Sequence, residues 1–135
     1  MIGELATELE RAAGRLVDTC RRLPVARWHA RVDAGGSAAD LVQQLVTWLA
    51  EVEHAVEIGQ AQRPKAWRSP APAPYPGALP DRLAVVSNDL IAALKLAPGD
   101  KQAWRDGELV TVAALADAAL VEIQAVHSAV SSAVS

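Results

Sequence analysis

The sequence predicts an all-α fold, a four-helix bundle, from three observations. Apolar residues recur at steps of three and four along four segments, which is typical of helices with one buried face. No strand pattern competes strongly with them. The chain has 135 residues, enough for one hydrophobic core, so we expect a single domain over residues 1–135. Four amphipathic helices bury their apolar faces against one another as a bundle.

The first two helices carry start and stop signals. The first runs over about residues 2–22, and Pro24 stops it. The second begins at Ser37, because Ser37 and Asp40 have the spacing of a capping box, and Gly59 is suited to follow its last turn. Gly35 and Gly36 make a flexible approach to this helix. Its predicted core positions are Leu41, Leu45, Trp48, Leu49, Val52 and Val56.

A long proline-rich crossover separates the second helix from the third. Six of the eight prolines lie within residues 63–80. They favour extended polyproline II geometry and exclude a helix. The third helix then runs over about residues 79–95, with Pro80 in its first turn and Pro98-Gly99 after its end.

A loop that carries Trp104 and Asp106-Gly107 is expected before the last helix, which runs over about residues 111–134. The segment 109–112 would also suit a short extended piece, and we interpret it as the start of that helix.

Composition and charge exclude several classes of protein. The apolar fraction of 51% and the charged fraction of 21% exclude a disordered chain. The net charge of −3 argues against a nucleic-acid partner. The single cysteine, Cys20, excludes an intrachain disulfide, and its central place in the first apolar stripe predicts a buried, unreactive thiol. No stretch approaches 18 uninterrupted apolar residues, so we expect a cytoplasmic protein without a membrane partner.

The histidines are not arranged as a metal triad. His29 lies in the first loop, and His54 falls opposite the core stripe of its helix, which favours a solvated position. Glu122 and His127 are five residues apart, about 140° around a helix, so they face different neighbours rather than one ion. Each is interpreted as a residue at the boundary of the core, with a role in a site as the alternative.

Gln44 and Glu51 lie along one flank of the core stripe of the second helix, beside Trp48. This placement allows a polar groove next to the tryptophan. The simpler interpretation of Gln44 is a boundary residue half in water.

The order of these features resembles the DinB-like bundle superfamily, in particular the N-terminal domain of mycothiol-dependent maleylpyruvate isomerases. The resemblance is carried by Arg27-Trp28-His29, by Gly35-Gly36-Ser37 followed by Ala38 to Leu45, and by the stretch from Gly107 through Glu122 to His127. It covers about residues 1–132 and implies a four-helix bundle.

The resemblance also implies a divalent metal, zinc or nickel, and a low-molecular-weight thiol as cofactors. The family's metal ligands are one histidine of the second helix and two of the last helix. In this sequence the histidine of the second helix corresponds to Gln44, and one histidine of the last helix corresponds to His127. The other ligand position, one turn before His127, is occupied by Ile123, with Glu122 beside it. At least one ligand is therefore missing, and a catalytic zinc takes three.

Two functional hypotheses follow. The first is a bundle without a competent metal site that binds a small apolar or thiol ligand, or acts as a structural, oligomeric module. The second is a divergent metal- and thiol-dependent isomerase or S-transferase, whose site combines Gln44, Glu51, Glu122 and His127, with His127 as the candidate metal ligand. We also predict a homodimer, because Val42, Val46 and Leu120 fall outside the predicted stripes.

Overall fold

The structure is a computed structural model that describes residues 2–33, 36–59, 71–97 and 100–134. The described residues are mostly helical, as an all-α class predicts, with two short antiparallel strand pairs. The helices are α1 (Ile2–Arg21), α2 (Val25–Trp28), α3 (Ala38–Ile58), α4 (Leu79–Leu96) and α5 (Val112–Val134). The strands are β1 (Arg31–Asp33), β2 (Gly36–Ser37), β3 (Gln102–Arg105) and β4 (Glu108–Thr111).

Four long helices enclose the core. Helix α1 packs along α4 and α5, and α3 packs along the same two helices. The predicted bounds of these four helices are confirmed to within one residue. The side chains that fill the space between them are aliphatic, and those without exposure or nearly so include Leu9, Leu16, Leu49, Leu83, Leu90, Leu94 and Ile123.

Both ends of α3 are held by hydrogen bonds, which are local at its start and come from the distant Lys101 at its end. The predicted capping box is present, since Ser37 Oγ accepts from the Asp40 amide and Asp40 Oδ2 accepts from the Ser37 amide, both at 3.2 Å. At the other end, Lys101 Nζ donates to the Val56 carbonyl at 3.0 Å, where a cation favours the helix dipole. Gly59 follows with φ +66°, and a Cβ there would meet Lys101 Cε at 2.8 Å. Helix α3 therefore ends at a glycine against which the Lys101 side chain packs.

Over residues 71–78 the crossover contains no α-helix, as its prolines predict, although its last three residues form a 3-10 helix. Residues 71–75 lie outside helices and strands, a 3-10 turn spans Pro76–Ala78, and Pro80 stands in the first turn of α4. The Ala73 amide donates to Gln43 Oε1 at 3.0 Å and so ties this segment to α3. The predictions made for Gly35, for Pro98-Gly99 and for the crossover over residues 63–70 lie outside the described residues.

The interpretation of residues 109–112 as the start of the last helix is wrong. Strands β3 and β4 form a hairpin in regular register from Gln102↔Thr111 to Arg105↔Glu108, and α5 begins only at Val112. Asp106 and Gly107 have φ of +52° and +82°, as a two-residue turn between right-twisted strands requires. This segment forms a hairpin and not the predicted loop for two reasons. Its backbone groups pair with one another, and β3 packs on α3 with Ala103 fully buried. A second small pair, β1 with β2, precedes α3.

The buried face of α3 is wider than the predicted stripe. Val42 and Val46 are buried, and so is Leu120 on α5, so the expectation that they lie outside the core is wrong. Leu41 and Trp48, predicted in the core, are half-buried. The reason is that α3 contacts α4 on one side and α5 and β3 on another, which buries a broad arc of its surface. The homodimer stays a prediction, without these three residues as its basis.

Helix α5 is the most apolar of the long helices. Over Val112–Ala133 it is long and apolar enough to cross a membrane by length and composition alone, a test that core helices of soluble proteins also pass. In the described chain α5 packs against α1 and α3. Its composition is therefore weak evidence for a membrane span.

Candidate functional site

A cleft of about 280 Å³ lies between α3 and α5. Its walls are contributed by residues three or four positions apart on each helix, which places them on one face of that helix. Helix α3 contributes Leu41, Gln44, Leu45 and Trp48, and α5 contributes Glu122 and Val126. Three residues of the sequence-predicted pocket, Gln44, Trp48 and Glu122, are thus brought together. Of the six described residues that line it, four are apolar, and the two polar ones are exposed.

Trp48 is held from outside the cleft by the β3–β4 hairpin. The guanidinium carbon of Arg105 lies 5.2 Å from the centre of the Trp48 ring, within the range of a cation–π contact. Arg105 also lies 3.8 Å from Glu51 Oε2 and 3.9 Å from Asp106 Oδ2, and its side chain is only 27% exposed. These contacts fix the ring between helix and hairpin. Glu51, predicted as a pocket residue, does not line the cleft and acts on it through Arg105.

Arg105 is the site residue that sequence reasoning missed. The signal that would have found its strand is Asp106-Gly107 between residues of strand type, which is the strongest short-range indication of a hairpin. That signal places Arg105 at the end of a strand. It does not indicate that the strand packs on α3, because this packing depends on contacts distant in sequence.

His127 lies away from the cleft. Its Nε2 is 3.0 Å from Oγ1 of Thr19, a residue of α1 that is 5% exposed. Glu122 and His127 therefore face different neighbouring helices, as their spacing predicts. Cys20 is adjacent to Thr19 in sequence and is also buried, and burial raises the pKa of its thiol to about 12. The predicted burial of Cys20 is confirmed, and its raised pKa disfavours the thiolate, which is the nucleophilic form.

His54 is half-buried, less solvated than its place opposite the core stripe predicts. The neighbours of α3 on several sides leave this helix little fully solvated surface. His29 is exposed at the end of α2. Neither histidine lines the cleft.

Carboxylates cluster on the side of α3 that meets α4. Burial, together with a hydrogen bond to Glu57 and the charges of Glu57 and Asp89, raises the pKa of Glu53 to about 7. The site between α3 and α5 is separate from this cluster, which shares no residue with the cleft lining.

The residues of the cleft do not fit the metal centre that the family resemblance implies. Gln44 offers only a neutral amide, Ile123 is a buried aliphatic residue, and His127 contacts α1. Within the described ranges, His, Cys, Asp and Glu side chains form no group of three or more that could hold a metal ion. A catalytic zinc is held by three such ligands. The cleft can instead bind a ligand, because its described residues offer an apolar wall, an aromatic ring, an amide and a carboxylate.

Comparisons of this chain with protein-family models, with characterised proteins and with solved structures find no match.

Proposed function

We propose that this chain is a DinB-like four-helix bundle that binds a small organic molecule in the cleft between α3 and α5. The observation that carries the proposal is the composition of that cleft, an apolar and aromatic wall with a single amide and a single carboxylate. Ligand sites are commonly built in this way, with few polar groups that orient a largely apolar ligand.

The size of the cleft supports a small ligand. At about 280 Å³ it lies near the lower limit of ligand pockets. An engineered apolar cavity of about 150 Å³ in another protein accepts benzene. The apolar contacts of Leu41, Leu45 and Val126 then supply most of the affinity, and Gln44 and Glu122 supply orientation.

A metal- and thiol-dependent isomerase or S-transferase is the competing hypothesis. It needs a ligand set at this cleft that Gln44 and Glu122 do not supply, and a pocket-facing histidine where His127 contacts α1. Zinc or nickel at one equivalent in protein purified without chelator, and lost on His127→Ala, would favour the enzyme over the binding module.

A fragment screen tests the proposal, with the indole N–H signal of Trp48 in NMR spectra as the readout of binding. We expect small apolar fragments to shift this signal, which is assigned with Trp48→Phe. Val126→Phe places a ring in the cleft and should abolish the shift. The matched control is Val121→Phe, because Val121 is on the same helix, 56% exposed and outside the cleft.

The proposal fails if no fragment moves the Trp48 signal. It also fails if Val126→Phe binds the same fragments as well as Val121→Phe does, because binding would then lie elsewhere.

A further inference from the structure

We infer that the cleft between α3 and α5 selects small organic cations, an ammonium group on an apolar body. The inference rests on the proposed function and names the chemical class of its ligand. It comes from the charge, the hydrogen-bonding capacity and the aromatic ring of the lining residues.

The charge of the lining is negative. Among the described residues that line it, Glu122 is the only charged one, and none is a lysine, arginine or histidine. Arg105, which contacts the lining residue Trp48, lies within 4 Å of the carboxylates of Glu51 and Asp106, and these offset its charge. A carboxylate ligand would meet Glu122 without a compensating cation, whereas an ammonium ligand would be attracted.

The polar groups of the cleft suit a donor. The Glu122 carboxylate only accepts hydrogen bonds, and the Gln44 amide, which can also donate through its nitrogen, can turn its oxygen toward a donor. An ammonium group has three N–H donors and no acceptor, so it can satisfy both residues together. Charge-assisted bonds of this kind are stronger than those between neutral groups.

The aromatic ring of Trp48 is the third feature of the cleft that favours a cation. Among aromatic side chains, tryptophan attracts cations most strongly through its π face. Arg105 lies over this ring and holds it in one orientation, so a ligand cation would meet the ring only where it lines the cleft. The apolar body of the ligand would pack on Leu41, Leu45 and Val126.

Three probes with the same apolar body, a 3-methylbutyl group, test the inference: 3-methylbutylamine, 3-methylbutan-1-ol and 4-methylpentanoate. They are cationic, neutral and anionic at pH 7. Binding to the full chain is followed by the Trp48 indole signal. We expect the amine to bind roughly fivefold more tightly than the alcohol, as for a partly solvated charge pair, and the carboxylate to bind most weakly.

Glu122→Gln should reduce the affinity for the amine to that for the alcohol and leave the alcohol unchanged. Asp117→Asn is the matched control, since it removes the same charge from an exposed position on the same helix outside the cleft. It should leave the preference for the amine intact.

Equal affinity for the three probes, all lost in Val126→Phe, would overturn the cation inference and leave the binding function standing. An amine preference that survives Glu122→Gln would overturn it too. If none of the probes binds, the inference fails, and the fragment screen alone decides the function.

Discussion

Gly14 and Gly107 show how backbone conformation decides the effect of the same substitution. A Cβ built on either glycine meets no atom within 4 Å. Gly14 is exposed within α1, where alanine favours the helix, whereas Gly107 has φ +82° in the hairpin turn, where alanine is strained.

We expect Gly14→Ala to raise the free energy of unfolding by about 0.5–1 kcal/mol. Gly107→Ala should lower it by about 1–2 kcal/mol. Urea denaturation of both variants measures the difference. Changes of the same sign would contradict the backbone assignments of these two residues.

At the scale of elements, the β3–β4 hairpin is attached to α3 through Arg105. Arg105→Met keeps much of the aliphatic stem and removes the charge that contacts Trp48 and Glu51. We expect a loss of about 1 kcal/mol in the free energy of unfolding, mostly from the cation–π contact, together with a shift of the Trp48 indole signal. Arg15→Met, at an exposed site on α1, is the control. If both variants behave alike in denaturation, the hairpin is not held by Arg105.

The sequence predicts the long helices but not how the helices and the hairpin pack against one another. The long helices follow from local signals, such as the Ser37–Asp40 capping box, and these act within one turn. Gln44 and Trp48 share a face of α3 by helical spacing alone. Their meeting with Glu122 depends on which helices become neighbours, and the contact of Arg105 depends on the docking of a hairpin. Neither is encoded in a local pattern.

At the scale of the whole molecule, Glu53 links the packing of α3 on α4 to pH. Its pKa is about 7 in the folded chain against an ordinary value of 4.5, so the folded state holds this proton more tightly than the unfolded state. The stability from this group is complete below pH 4.5 and is lost as the pH rises through 7.

We therefore expect Glu53→Gln to raise the melting temperature relative to the unsubstituted chain more at pH 8 than at pH 5, because glutamine cannot ionise. Glu8→Gln, on the exposed face of α1, is the control. A gain for Glu53→Gln that does not depend on pH would show that Glu53 titrates normally.

The pairing of α1 with α5 has a consequence for the order of synthesis. Helix α1 leaves the ribosome before the two helices that cover its apolar face, α4 and α5. Leu9 and Leu16, which are buried in the folded protein, thus have no native cover until those two helices have been made. During that interval the first helix presents an apolar stripe of the kind that chaperones bind and that promotes aggregation. The core around α1 can be completed only when α5 has been made.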